Sequence, residues 1–203
     1  MFILYALMLA AVLQQTAAGT DPADVSEIDA ISCRLDVPGY MRFAMAIDGE
    51  EQLARTRGWK KIASPNSFMA EYNLPKPITV AGSYSTRRIG FTGDAILAVL
   101  DVADPAIVAR AEKIDNSMSA QPMIDAMVAS SKVTRAQAEA EFPFRKFLGE
   151  RIMTDVTEPA GKDGYGSHMV VARTISNVTT HPGKTLYGCA YRFDMLDKDG
   201  TSL

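Results

Sequence analysis

Two runs of strand-like segments, each preceded by helical segments, most strongly constrain the fold of this 203-residue chain. Within each run, short apolar or alternating stretches are separated by turns, with no helix between them. Consecutive strands of this kind pair through hairpins, which favours an antiparallel sheet over a parallel one. The sequence therefore predicts an α+β fold with a mainly antiparallel sheet and packed helices. The order of helix, three strands, helices and three strands also raises the hypothesis of an internal pseudo-repeat, although no residue-level repeat accompanies it.

The first run begins with residues 68–74, where apolar and polar residues alternate as in a half-buried strand. The Pro-Lys-Pro run 75–77 follows, and because proline cannot donate to a strand ladder, we expect it to interrupt this strand. Residues 87–92 and 95–101 are predicted to pair around the Gly-Asp dipeptide 93–94, which is a hairpin signal. The second of these strands is apolar on both faces, which predicts a central position in the sheet.

The helices expected before each run have recognisable start signals. Pro38 opens a segment whose apolar residues recur at i, i+3, i+4 and i+7, the spacing of one buried helix face. Before the second run, Asp104 followed by proline is typical of a helix N-terminus, and Thr134 with Gln137 fits a capping box. The strands predicted after these helices cover residues 144–156, 167–178 and 186–196.

An uncharged apolar segment, residues 2–13, lies at the beginning of the sequence. A membrane-spanning helix needs about 20 apolar residues, whereas a shorter run followed by small residues at Thr16 and Ala18 is typical of a secretory signal peptide. We therefore predict a signal peptide over residues 1–18 and a single α+β domain over residues 19–203. A buried N-terminal helix is the alternative, because no Lys or Arg precedes the apolar run. No cysteine lies near the cleavage region, so no membrane anchor is expected after cleavage.

The chain has two cysteines, Cys33 near the start of the expected mature domain and Cys189 near its end. An even cysteine count in an exported protein predicts a disulfide. Cys33 is predicted on a short strand over residues 31–37, and Cys189 lies in an alternating strand that should be well packed if it carries the bridge. Two unrelated buried thiols are the main alternative, since neither cysteine has the setting of a nucleophile.

Composition and motifs argue against several function classes. Lys and Arg number 21 against 24 Asp and Glu, and this net charge of -3 argues against nucleic-acid binding. Residues 183–185 match the last three residues of a phosphate-binding loop. However, Val178 stands where that motif needs its first glycine, and a strand is predicted after it instead of a helix. Residues 197–200 resemble part of a calcium loop, but Met195 occupies the first ligand position. We therefore expect no metal and no cofactor.

The strongest candidate for ligand contact is the polar cluster Tyr84, Arg87 and Arg88 at the entrance to the first hairpin. Arginine presents a planar fork that suits carboxylate or phosphate. Adjacent residues of a strand point to opposite faces, so the two arginines are expected to point apart. The alternative is that they lie on an edge strand and only block edge-to-edge pairing. His168 and His181 have no local co-ligands for a metal; the former is expected on a sheet surface and the latter in a turn.

The sequence contains neither the GxSxG nor the SxxK motif of nucleophilic serine enzymes. The leading hypothesis is therefore a periplasmic or secreted protein of the cell envelope that binds a ligand or a protein partner without catalysis. The alternatives are a small cofactor-independent envelope hydrolase, with His168 or His181 as its base, and a secreted enzyme inhibitor. A histidine and acidic residues converging in one pocket would favour the hydrolase.

Overall fold

An antiparallel β-sheet organises the computed structural model, which describes residues 20–118, 121–130, 133–141, 147–161 and 164–203. Within these ranges, seven strands form one sheet. The expected signal peptide, residues 1–18, lies outside the described residues, as do residues 144–146 at the start of one predicted strand.

Helices and strands follow one another in the predicted order. The described helices are a 3₁₀ turn (Pro22–Asp24), α1 (Glu27–Ile31), α2 (Val37–Asp48), α3 (Leu53–Thr56), α4 (Pro105–Glu112), α5 (Gln121–Ser130) and α6 (Arg135–Glu141). The strands are β1 (Lys60–Ile62), β2 (Ala70–Val80), β3 (Tyr84–Phe91), β4 (Ala95–Leu100), β5 (Leu148–Glu158), β6 (Gly166–Ser176) and β7 (Thr185–Leu196). The short strand β1 is an addition that no sequence pattern indicated.

The strand order in the sheet is β1-β2-β3-β4-β7-β6-β5, and every neighbouring pair is antiparallel. The α+β fold with an antiparallel sheet is therefore confirmed. β4 occupies the middle of the sheet, as its apolar sequence predicted. β3 lies between β2 and β4, so it is not the edge strand that the edge-blocking explanation of its arginines required. The pseudo-repeat is not confirmed, since four strands form the first run and three form the second within the described residues.

The main hydrophobic core lies between one face of the sheet and helices α1 to α4. Helix α2 contributes Tyr40, Phe43 and Ile47 at the predicted spacing. A smaller cluster lies on the opposite face and contains Met69, Ala95, Leu97, Val99, Leu186 and Ala190. Alternate residues of β4 enter the two clusters, which explains why this strand is apolar throughout.

Local hydrogen bonds set two helix starts at the predicted positions. The Asp104 carboxylate accepts a hydrogen bond from the backbone N–H of Ala106 at 3.0 Å where α4 begins. Thr134 and Gln137 form the reciprocal hydrogen bonds of a capping box before α6. The Thr134 N–H donates to Gln137 Oε1 at 2.8 Å, and the Gln137 N–H donates to Thr134 Oγ1 at 3.3 Å. Caps of this kind contribute about 1 kcal/mol each.

The predicted strand over residues 31–37 is wrong. Helix α1 ends at Ile31, and Cys33 lies in the following turn with a φ of 57°. The interruption predicted at the Pro-Lys-Pro run 75–77 is present in the ladder but not in the strand: β2 continues to Val80, whereas its pairing with β3 shifts register between Asn73 and Ile78. Strand β1 pairs only with residues 71–73 of β2, so the prolines lie where one side of β2 has no strand partner and a missing N–H is tolerated.

The predicted disulfide is present between Cys33 and Cys189, whose Cα atoms lie 5.3 Å apart across a sequence separation of 156. Cys189 is fully buried in β7, so the bridge ties the turn after α1 to the centre of the sheet. The buried guanidinium of Arg173 holds the same turn, since it donates to the carbonyls of Ile31 and Ser32 at 2.9 and 3.0 Å.

Candidate functional site

Arg87 and Arg88 line one cleft of about 340 Å³ beside β3. Strict alternation along a strand would separate them, but the pairing of β2 with β3 shifts register between Asn73 and Ile78, opposite this stretch. Such an irregularity changes where neighbouring side chains point, and here both arginines reach the same cleft. Tyr84 is not brought to this cleft, because it packs against the main core.

The Arg87 side chain is held by backbone carbonyl groups of β2. Its Nε–H donates to the Leu74 carbonyl at 3.0 Å, and its Nη2 donates to the Pro75 carbonyl at 2.6 Å. A guanidinium has five N–H donors, so these bonds orient the group and leave further donors for a ligand. Because carbonyl groups are neutral, the positive charge of Arg87 is not cancelled by these contacts.

The Arg88 side chain is held by the buried carboxylate of Glu71. The Arg88 Nε–H donates to Glu71 Oε2. The Arg88 side chain is 30% exposed, whereas that of Glu71 is 0% exposed. Arg88 therefore reaches from a buried acidic group to the open cleft, and it is the member of this pair that a ligand can contact.

His181 joins the same group from the loop between β6 and β7. Its Nε2 lies 2.9 Å from Glu71 Oε1, and its Nδ1 lies 3.0 Å from Thr180 Oγ1. Because a carboxylate only accepts hydrogen bonds, the network assigns the proton to Nε2, and Nδ1 accepts from the Thr180 hydroxyl. The Nη2 of Arg88 lies 3.4 Å from Nε2, but both are donors, so this is a contact and not a hydrogen bond. The His181 side chain is 1% exposed, so it supports the cleft without lining it.

Glu71 is the ionised centre of this group. Burial by itself raises the pKa of Glu71, but hydrogen bonds from Arg88, Ser64 and His181, together with the Arg88 charge, outweigh burial and hold the pKa below its ordinary value. A buried carboxylate without such partners would be costly. We call Glu71, His181 and Arg88 the Glu71 cluster; its buried members fix the position of Arg88.

Lys184 and Asp101 form an ion pair in the lining of the same cleft. Their side chains are 34% and 85% exposed, respectively. Exposed ion pairs contribute roughly 0–1 kcal/mol, so this pair can open for a ligand at small cost. The rest of the lining is formed by Asn73, Pro77, Ser85, Thr86 and Val99.

His168 lies away from this cleft, near the beginning of β6. Its Nε2 is 2.9 Å from an Asp155 oxygen and its Nδ1 is 3.8 Å from an Asp194 oxygen. His181 follows the other end of β6, and at about 3.3 Å per strand residue the two histidines are separated by on the order of 25 Å. They do not converge in one pocket.

Sequence patterns did not single out Glu71 or Lys184. A local signal for Glu71 exists, because an acidic residue inside an apolar strand requires a partner. Its partners Arg88 and His181 lie 17 and 110 residues away in sequence, and no local pattern indicates them. Lys184 was recognised only as part of an incomplete phosphate motif, yet it lines the cleft.

A larger depression of about 440 Å³ lies between the N-terminal segment and β2. The guanidinium in it belongs to Arg57, which donates to the carbonyls of Ala23 and Val25 at 2.9 and 2.8 Å. Arg57 also pairs with Glu27 at 3.5 Å. This arginine fastens the N-terminal segment and its charge is paired, so the Arg87–Arg88 cleft is the stronger candidate for a ligand.

In the described part of the chain, no group of three or more His, Cys, Asp and Glu side chains could hold a metal ion. No helix in the same ranges is long and apolar enough to cross a membrane. No protein-family model, curated protein or solved structure matches the chain. The geometry of the cleft is therefore the feature that points to a function.

Proposed function

We propose that this chain is a periplasmic or secreted protein of the cell envelope that binds an anionic ligand, or an anionic group of a protein partner, without catalysis. The observation that carries the proposal is the position of Arg87 and Arg88 in one cleft, with each guanidinium oriented by bonds to the protein. Guanidinium groups that are already oriented lose less conformational freedom when they bind an anion, which favours affinity.

The disulfide supports the proposed location, because disulfides persist in oxidising compartments outside the cytoplasm. The apolar segment of residues 2–13 and the small residues after it support export by a cleaved signal. N-terminal sequencing of natively exported protein should begin at Gly19 or Thr20. Soluble cytoplasmic protein that retains Met1 would contradict this location.

A thermal-shift screen tests the binding proposal at low ionic strength, with matched anionic, neutral and cationic small molecules. A ligand that binds only the folded state raises its stability by about 2.7 kcal/mol at a hundredfold excess over Kd. We expect anions to raise the Tm and Arg87→Gln to remove the effect. Arg42→Gln, at an exposed position of α2, is the control and should keep it. Equal shifts from neutral compounds, or equal responses of both variants, would contradict the proposal.

One observation favours a second candidate, the envelope hydrolase. Thr180 Oγ1, His181 and Glu71 form a chain of hydrogen bonds of 3.0 and 2.9 Å, the arrangement of hydroxyl, base and carboxylate that activates a nucleophile. The burial of His181 argues for a supporting role instead. A fluorophosphonate probe separates the candidates: covalent labelling that Thr180→Val abolishes would establish the hydrolase, and the binding proposal expects no labelling.

A further inference from the structure

The charges around the cleft do not cancel. Three cationic side chains, those of Arg87, Arg88 and Lys184, line it together with one acidic side chain, that of Asp101. Glu71 adds a negative charge behind Arg88. The three cationic and two acidic side chains described at this site therefore leave one net positive charge.

We infer that the ligand of this cleft is a small organic monocarboxylate, that is, one carboxylate attached to a short apolar group. This inference rests on the proposed anion binding by Arg87 and Arg88. One negative charge neutralises the site, whereas a dianion such as sulfate or a phosphate monoester leaves an excess negative charge in a partly enclosed place, where charge is poorly screened.

The donor geometry agrees with a carboxylate. The two oxygens of a carboxylate pair side by side with two N–H groups of a guanidinium. The Nε of Arg87 is bonded to a carbonyl and the Nε of Arg88 to Glu71, so the donors that remain are on the Nη atoms of each group. A single carboxylate between the two arginines can use them together.

The remaining lining explains the short apolar group. Pro77 and Val99 contribute apolar surface beside the two arginines, and the cleft volume of about 340 Å³ limits the ligand to a small molecule or the end of a longer one. Apolar contact adds roughly 25 cal/mol for each Å² that is removed from water. Carboxylate affinity should therefore rise with a short alkyl tail.

The two acidic groups at the site differ in how readily they can be changed. Glu71 is fully buried and accepts hydrogen bonds from two other members of its cluster, so replacing it risks the fold. Asp101 is 85% exposed and pairs with the partly exposed Lys184. Asp101→Asn therefore raises the net charge of the cleft with little risk to the fold.

Nuclear magnetic resonance titration of ¹⁵N-labelled full-length domain measures weak binding directly. The probes are butyrate, butyramide as its neutral analogue, acetate as its short-tailed analogue, and sulfate, each followed through the amide and Nε signals of Arg87 and Arg88. The titrations are run at about pH 8, where an ordinary histidine is neutral. Arg42→Gln again serves as the matched control.

We expect butyrate to bind about tenfold more tightly than sulfate, and more tightly than acetate, with no saturable change from butyramide. Asp101→Asn should improve sulfate binding relative to butyrate by about two- to fivefold, the range of an exposed charge interaction. Arg87→Gln should weaken both anions.

Two failures are distinguishable. Sulfate binding that equals or exceeds butyrate binding, and that Arg87→Gln removes, overturns the monocarboxylate inference while the proposed anion binding stands. If no anion perturbs the Arg87 and Arg88 signals, or if Arg87→Gln changes neither affinity, both the inference and the proposed function are overturned.

Discussion

Removal of the Cys33–Cys189 bridge should destabilise the protein through its unfolded state. The bridge closes a loop with a sequence separation of 156, so it strongly restricts the unfolded chain. In the native state, other contacts also hold the same turn, because Arg173 donates to the carbonyls of Ile31 and Ser32. The folded structure should therefore persist without the bridge, and the loss should come mainly from the greater entropy of the unfolded chain.

The size of the loss follows from the loop length. The chain-entropy relation gives about 5 kcal/mol for a loop of this size. Domains are typically stable by only 5–15 kcal/mol, so this is a large share of the total. At about 2–4 °C per kcal/mol for a chain of this size, the Tm should fall by about 10–20 °C.

Urea denaturation of the double variant Cys33→Ala/Cys189→Ala, of oxidised wild type and of reduced wild type measures the effect. Reduced wild type keeps both sulfur atoms, so its difference from the double variant isolates the packing of the two cysteine side chains. The m value should rise in both uncross-linked forms, because their unfolded chains are less compact.

A loss below about 1 kcal/mol in reduced wild type, with native near-ultraviolet circular dichroism, would refute this reasoning. It would mean that the unfolded chain already keeps its two ends close, since the loop-entropy relation counts only the freedom that the bridge removes.

Three further changes have defined outcomes. Glu71→Gln should alter the pH dependence of stability: the folded-state pKa lies below 4.5, so the contribution of the carboxylate is complete above that pH and is lost as the pH falls through the folded-state value. The urea midpoints of variant and wild type should converge in acid, and a constant difference would contradict this. Asp104→Ala should cost about 1 kcal/mol in thermal unfolding, because the N-cap bond of α4 is lost. Gly188→Ala should cost about 3 kcal/mol or more, because a Cβ would collide with the Ile96 carbonyl oxygen. Gly93→Ala is its control, since a Cβ there meets nothing within 4 Å, and equal losses would refute the explanation.

Several features of this protein could be predicted because a few neighbouring residues decide them. The N-terminus of α4, at Asp104 and the following proline, and that of α6, at Thr134 and Gln137, are fixed by contacts between residues at most three positions apart. Their local sequence signals were therefore enough to predict both helix starts. The apolar β4 sequence indicated a strand covered on both faces, and it is central. Two cysteines allow only one intramolecular pairing, so the disulfide could be predicted without its geometry.

Other predictions failed where tertiary structure overrides a local preference. The run 75–77 interrupts the ladder between β2 and β3 but does not end β2; β1 stops before reaching it, so no partner on that side needs the N–H groups that proline lacks. Cys33 lies in a turn because its bridge to β7 and the bonds of Arg173 hold the chain after α1 in place. Neither the length of β1 nor the position of that turn is determined by the residues beside it.

The candidate site depends most strongly on tertiary structure. Arg87 and Arg88 were recognisable as possible ligand contacts from their chemistry alone, but their meeting in one cleft depends on the register shift between Asn73 and Ile78. Glu71 and His181, 110 residues apart, meet because the assembled sheet and the loop after β6 bring them together. A single-residue change of register would turn such side chains to the opposite face. Burial of the whole sheet against its helices selects the register. The sequence alone therefore showed which residues could bind an anion, but the tertiary structure decided which charges meet in the cleft.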